Sequence, residues 1–190
     1  RIPGDYAWEM GMQVAPNTTE PSLDRFLSKS HRGVVGLYER LERWTARSAW
    51  SVIVPSQYIR SVAERWGVPT ERIKVIKNAV QSLPSGQGRA QARKQFNIIN
   101  QTVCLTVVRA VPWKGVSDLI SWWHRLPSTH VLVVAGDGPE LSKWKELAAR
   151  EGLQERVRFL GRVEREVLTD WYDAADVFIL HTGYEGYPHT

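Results

Sequence analysis

Apolar residues in the second half of the chain follow two alternating periods. The runs VCLTVV (Val103 to Val108), VLVVAG (Val131 to Gly136), VRFLG (Val157 to Gly161) and VFIL (Val177 to Leu180) are short and continuous. Strands buried on both faces read this way. Between them apolar positions recur at helical spacing: Val116, Leu119, Ile120 and Trp123, then Leu141, Trp144, Leu147 and Ala148, then Val167, Leu168, Trp171, Tyr172 and Ala175. This βαβ series predicts an α/β fold with a Rossmann-like parallel sheet, covered on both faces and joined by right-handed crossovers.

The first half is less regular. Residues 33–49 read as a helix and WSVIVPS (Trp50 to Ser56) as a short buried strand. Ile59, Val62, Ala63 and Trp66 then share one helical face, stopped by Gly67, and RIKVI (Arg72 to Ile76) reads as a strand. The stretch NAVQSLPSGQGRAQAR has no apolar period. It predicts a linker, dividing the chain into a first domain at 1–80, a linker and start of the second domain at 81–100, and a second domain at 101–190.

Composition narrows the class. At 190 residues, 43% hydrophobic and 24% charged, the chain reads as globular. It has no apolar run near the roughly 18 residues that suggest a membrane span, and no basic-then-apolar leader. The single Cys104 excludes an internal disulfide and a cysteine-rich metal site, which favours a cytoplasmic setting. The net charge is +5, with basic residues in excess between positions 25 and 72. No nucleic-acid-binding signature accompanies that excess, so it is read as a solvated face or as peripheral contact with anionic lipid or an acidic acceptor.

Ligands of such sheets sit beyond the carboxyl ends of the strands, which turns attention to four loops. RAVPWKG sets Arg109 and Lys114 on either side of a turn, with Gly115 opening the next helix. Two cations beside a helix N-terminus suit a diphosphate. GDGPE carries Gly136 and Gly138, which serve either a tight turn or close backbone approach by a ligand. GRVE places Arg162 and Val163 past a strand-ending glycine. HTGYEGYPHT presents Glu185, Gly186 and Tyr187, an acid among glycines at a strand end, where structural duties are few. The histidines are scattered without metal-ligand spacing, and neither GxGxxG, GxSxG nor a Walker A loop occurs. Trp66, Trp123, Trp144 and Trp171 fall on apolar helical faces and are expected in the core, whereas Trp8 and Trp113 are expected in loops.

In order along the chain, VPSQYIRSVAERWGV, IKVIKNAV, RAVPWKGV, VLVVAGDGPE, RVRFLGRV and WYDAADVFILHTGYEGYP resemble the retaining glycosyltransferases of family 4. PGDYAWE is similar to a segment in the N-terminal domains of some members. The resemblance implies a GT-B architecture of two Rossmann-like domains, incomplete here at both ends. It implies a nucleotide-diphosphate sugar as donor, a glycan or lipid-linked acceptor, no metal or other cofactor, and no nucleic-acid partner. Arg109 and Lys114 match the pair that holds the pyrophosphate, and Glu185 matches the first acid of a Glu, seven residues, Glu motif that contacts the sugar. Gly115, Gly136, Gly138, Gly186 and Tyr187 fall on the donor side, and residues 161–163 match the loop beneath the base. Asp5 and Ser56 are expected at strand ends facing the acceptor.

Three departures accompany the match. Val108 stands where a glycine usually precedes the Arg, the second Glu would fall three residues beyond Thr190, and the front of the N-terminal domain, with the Gly-rich loop near its first strand, is not part of the match. The expected activity is hexosyl transfer in cell-surface polysaccharide or glycolipid synthesis, at the cytoplasmic face of a membrane, with these 190 residues inactive alone. The alternatives are a nucleotide-sugar epimerase of the same architecture and a truncated, inactive fragment.

Overall fold

A computed structural model describes residues 1–15, 19–80, 82 and 84–188; Gln81 and Leu83 of the expected linker, and His189, lie outside them. The chain divides into two compact units, Arg1–Val80 with Gly183–His189, and Gln81–Thr182.

The first unit contains helices α1 (Tyr6–Val14), α2 (Leu23–Leu27), α3 (Gly33–Ser48) and α4 (Gln57–Arg65), with strands β1 (Val52–Val54) and β2 (Ile73–Val75). The two strands pair in parallel, and the Ile2 N–H donates to Ile53 O on β1. Ile59, Val62 and Ala63 of α4 are fully buried, as their shared face predicts. Gly67 closes that helix region at φ +87°, a conformation open to glycine. α1 is a departure from expectation: Trp8 lies on this helix and is fully buried, because Asp5 caps the helix and Ala7, Trp8, Gly11 and Met12 face inward.

The second unit contains α5 (Arg89–Gln95), β3 (Thr102–Val107), α6 (Val116–Trp123), β4 (His130–Ala135), α7 (Leu141–Arg150), β5 (Val157–Gly161), α8 (Arg165–Ala174) and β6 (Val177–Phe178). All strand pairs are parallel, in the order β5-β4-β3-β6. Alternation along each strand divides the core between the two faces. Cys104, Leu132 and Val134 pack with Val116, Ile120, Trp123, Trp144 and Ala148 of α6 and α7. Val103, Leu105, Val131 and Val133 pack with Ala92, Trp171 and Ala174 of α5 and α8. Each large side chain so buried contributes about 1.5–3 kcal/mol.

Two expectations need correction here. The stretch expected over 81–100 as a linker and the start of the second domain contains α5, whose Ala92, with Phe96 and Ile98 just beyond it, joins the sheet core; the Phe96 ring stacks on Trp171 at 3.9 Å between centroids. Its polar sequence hides this because arginines do the anchoring. Arg93 donates to Asp176 at 3.1 Å, Arg89 also pairs with Asp176, and the Asp176 carboxylate accepts the Val103 N–H at 2.7 Å. The last strand is shorter than VFIL and not buried: Val177 and Phe178 form an exposed edge, paired only with β3 among the described residues.

Candidate active site

The strand order reverses between β3 and β6. The chain runs outward from β3 to β4 and β5, then returns to the other side of β3 for β6. In open parallel sheets the crevice at such a reversal receives ligands. The loop following β3 carries Arg109, exposed, and Lys114, half-buried at the end of a single 3₁₀ turn, Pro112–Lys114. Gly115 follows at φ +62° and leads into α6, where the Asp118 N–H turns back to Gly115 O at 3.1 Å and the two N–H groups before it lie ahead of the helix's own i−4 ladder. A Cβ at Gly115 would stand 2.2 Å from the His181 carbonyl oxygen, so only glycine fits. The segment after β6 closes on the same loop: the Thr182 hydroxyl donates to Trp113 O at 3.2 Å. Trp113 is buried beneath it.

The β4 loop is laced to the β3 loop. Ala110 N–H donates to Asp137 O at 2.9 Å and Glu140 N–H to Ala110 O at 3.0 Å. Gly136, at φ +128°, would bring a Cβ to 1.8 Å from Val108 O; Gly138, at φ +152°, would bring one to 2.5 Å from Ala110 O. Of the two roles open for these glycines, close approach has an occupant in the protein's own backbone. Their N–H groups are also engaged, Gly136 with Gly161 O and Gly138 with the Asp137 carboxylate. A register shift between Val134 and Ala135 immediately precedes them, a local kink of the kind that re-aims a strand end. Arg162 and Val163 follow β5 at the same edge, two strands from β3 and so about 10 Å across the sheet.

The remaining expected site residues belong to the first unit. Asp5 does not lie at a strand end: it caps α1, its Oδ1 accepting the Trp8 N–H at 2.8 Å, and it is 1% exposed. Burial, with a smaller contribution from Glu39, pushes its carboxyl up to about 6 against the pull of the Trp8 N–H. Glu42 completes the helix N-terminus by accepting the Tyr6 and Ala7 N–H groups at 2.8 Å each. Burial and the nearby Asp5 charge raise Glu42 to about 7. Ser56 caps α4 through Ile59 N–H at 3.2 Å, and its hydroxyl donates to Gly186 O at 2.7 Å. Gly186 has no room for a Cβ, which would meet Pro3 O at 2.2 Å. Glu185 and Tyr187 are half-buried beside Tyr184, which is buried edge-on to Trp8 with ring centroids 5.2 Å apart.

The structure therefore gathers Arg109, Lys114, Gly115, Gly136 and Gly138 in one loop cluster, and Ser56, Gly186 and Tyr184 in another. Sequence reasoning missed His181, Thr182 and Asp118. His181 Nε2 lies 3.5 Å from Asp118 Oδ2 at the start of α6. The signal was present, since the loops after β3 and β6 become neighbours once those strands pair, but the strand order is not written in apolar periodicity. Among the described residues no three or more His, Cys, Asp or Glu side chains cluster to hold a metal ion.

Comparison with known proteins gives two family matches: residues 88–190 with the family described as Glycosyl transferases group 1, and residues 16–82 with Glycosyltransferase Family 4. A GDP-mannose-dependent alpha-(1-6)-phosphatidylinositol monomannoside mannosyltransferase of Mycobacterium tuberculosis is 30% identical over 120 residues, 60% of this chain and 28% of that protein. An uncharacterized glycosyltransferase of Bacillus subtilis is 28% identical over 148 residues, 76% of this chain and 39% of that one. The chain thus spans well under half the length of these relatives. Among solved structures, Anabaena HepE in complex with UDP-glucose matches with a TM-score of 0.67 at 26% identity, over 75% of this chain and 41% of HepE. Sucrose-phosphate synthase from Thermosynechococcus elongatus shares the fold, with a TM-score of 0.70 at 23% identity over 97% of this chain and 44% of that one.

Proposed function

The chain belongs to the group 1 glycosyl transferases, and from that premise we propose that its protein moves a hexose, with retention of configuration, from a nucleotide-diphosphate sugar to a glycan or lipid-linked acceptor. The observation that carries this reading is the β3 loop. Arg109, Lys114 and the start of α6 converge at the strand-order reversal, and Gly115 and Thr182 brace the loop there. HepE was solved with UDP-glucose, and the mycobacterial relative is named for its use of GDP-mannose. Both names fit a diphosphate at this loop.

In the proposed reaction the bond between the anomeric carbon and the diphosphate oxygen breaks, and an acceptor hydroxyl forms the new bond on the same face. Its proton leaves with the departing diphosphate. Negative charge grows on that diphosphate, and Arg109, Lys114 and the α6 N-terminus stabilise it without a metal ion. Glu185, three residues beyond Thr182 in the chain, contacts the sugar, with Gly186 and Tyr187 shaping its loop. Arg162 and Val163 lie under the base. Gly136 and Gly138 act by letting the β3 and β4 loops approach. Ser56 flanks the acceptor side; Asp5, buried as the α1 cap, has no direct role there. Transfer takes place in the cytoplasm, in synthesis of surface polysaccharide or glycolipid.

The test is product analysis with labelled nucleotide sugars, on a protein of the relatives' length. Lys114→Ala should lower turnover about 10²–10³-fold, as loss of one charge-stabilising contact does, with the thermal midpoint unchanged. Undiminished turnover removes Lys114 from this role. Sugar isomerisation without an acceptor would replace transfer with epimerisation.

A further inference from the structure

The segment after Thr182 belongs by its contacts to the first unit. Tyr184 is its buried member, 7% exposed beside the half-buried Glu185, Gly186 and Tyr187. Side chains of strand-end loops ordinarily face solvent, so a tyrosine this deep in a loop is an anchor. Its ring meets Trp8 edge-on with centroids 5.2 Å apart and lies 6.1 Å from the Tyr58 ring. Its hydroxyl reaches Gly4, where a Cβ would stand 2.6 Å from the hydroxyl oxygen and 2.9 Å from Glu9 Oε1. Gly4 is not at positive φ. What keeps alanine out is therefore space, and Tyr184 and Glu9 take that space. Burial, then the charges of Glu9 and Asp5, push the Tyr184 hydroxyl up against the pull of the Asp5 backbone. It stays protonated and acts by occupying its place, not as a base. Two residues on, Gly186 O accepts the Ser56 hydroxyl at 2.7 Å, and a Cβ at Gly186 would meet Pro3 O at 2.2 Å. Glu185 thus lies between two fixed points.

We propose that this double attachment positions Glu185 for the donor sugar, with Tyr184 as the positioning residue and Gly4, Trp8 and Tyr58 as its socket. The inference deepens the transfer reading and rests on it, since Glu185 reads a sugar only if a nucleotide sugar is the donor. A group that recognises a reacting sugar must be held to within about 0.5 Å, and a misplacement of about 1 Å costs as much as 10²-fold in rate. Strand β6 does not hold Glu185 so closely: its two residues end at Phe178, and the Thr182 hydroxyl on Trp113 O fixes the chain only as far as Thr182. Beyond that point the Tyr184 side chain and the Gly186 backbone do the fixing. Arg109 and Lys114 hold the diphosphate wherever Glu185 stands. The socket therefore governs affinity for the sugar part of the donor and the rate of its transfer, and leaves affinity for the bare nucleotide alone.

The experiment is calorimetric titration of UDP, GDP and a panel of their hexose derivatives into a protein of the relatives' length, with turnover measured on the same samples. Tyr184→Ala should weaken the nucleotide sugar about tenfold, the lower end for loss of one hydrogen bond to a charged group. Turnover should fall about 10²-fold, while the matching nucleotide binds as before. Tyr184→Phe keeps the ring and should recover most of both losses. Gly4→Ala drives its methyl group into the Tyr184 hydroxyl and should reproduce part of the defect. Combining Gly4→Ala with Tyr184→Phe should undo it, because the clash leaves with the hydroxyl and Glu9 Oε1 ends a side chain free to swing. A tyrosine that served the fold alone would show no such reversal. Thermal melts check folding, and the Gly4→Ala pair carries the test if Tyr184→Ala unfolds. Nucleotide and nucleotide sugar weakened alike by Tyr184→Ala, or a Gly4→Ala defect that Tyr184→Phe does not relieve, overturns the proposal. Wild-type protein that binds no nucleotide overturns the transfer reading and the proposal with it. Wild-type protein that binds a nucleotide sugar, with a Tyr184→Ala variant that binds and turns it over equally well, overturns the proposal alone. So does wild-type protein that binds a nucleotide but none of its hexose derivatives.

Discussion

Replacing Gly136 with alanine tests whether contact between the β3 and β4 loops, rather than general turn flexibility, sets the position of Arg109. The new Cβ would lie 1.8 Å from Val108 O and 2.9 Å from the Val108 carbonyl carbon, where ordinary contact begins near 3.4 Å. Neither strand end can yield easily, because Val108 N–H is bonded to Ala135 O at 3.0 Å and Gly136 N–H to Gly161 O at 2.8 Å. The backbone at φ +128° adds about 1–3 kcal/mol for a non-glycine residue. Overpacking against the carbonyl adds about 1–3 kcal/mol more, giving about 4 kcal/mol in total. That is a large part of the 5–15 kcal/mol typical of whole domains. Gly152→Ala is the matched control, at φ +67° with nothing within 4 Å of the added Cβ; it isolates the backbone cost of about 1–2 kcal/mol. Urea unfolding followed by circular dichroism, with hydrogen exchange at β3 and β4 amides, gives the two costs. Nucleoside diphosphate affinity gives the effect on the loop, and should fall for Gly136→Ala alone. Equal costs for the two variants, with unchanged affinity, would refute the reasoning.

Other outcomes follow from the charged groups. Asp176 is desolvated, which opposes its charge, but the Val103 N–H and the Arg93 and Arg89 guanidiniums outweigh that and hold its carboxyl below the ordinary 3.8. Its contribution to stability is therefore complete above about pH 4 and is lost as pH falls through the lowered value. Asp176→Asn should cost about 2 kcal/mol at neutral pH and remove that acid limb from a urea-unfolding series. Glu42 and Asp5 have the opposite sign. Their pKa values in the folded chain are raised to about 7 and about 6, from 4.5 and 3.8, so the folded form binds protons more tightly. Their share of stability is full below about pH 4 and declines until about pH 7; Glu42→Gln should flatten that slope in thermal melts taken across the range.

The second sheet is legible in the sequence because β3, β4 and β5 are continuous apolar runs and the three following helices carry stripes of period 3.6. Trp123, Trp144 and Trp171 are buried as those stripes require, and Trp66 as the α4 face requires. α5 is not legible: RAQARKQ offers one small apolar residue, Ala92, to the core, and its helix is secured by arginine bonds to residues more than 80 positions away. β6 is legible only in part, since VFIL is apolar over four residues and only Val177 and Phe178 pair, with β3. The cationic loop is visible as residue types after a strand end. What braces it is tertiary: the Val108 and Ala110 carbonyls that exclude a Cβ at Gly136 and Gly138, and the Thr182 hydroxyl on Trp113 O. Asp5 shows the same gap. A carboxylate before a helix reads equally as a ligand group or a cap, and burial decides for the cap.

The central claim is that Arg109 and Lys114 grip a diphosphate. Calorimetric titration of UDP and GDP into the wild-type protein and into Arg109→Ala and Lys114→Ala tests it without depending on turnover. At least one nucleotide should bind, and each substitution should weaken it about 10- to 150-fold, the loss of one hydrogen bond to a charged group. Affinity for both nucleotides that survives both substitutions unchanged would contradict the account.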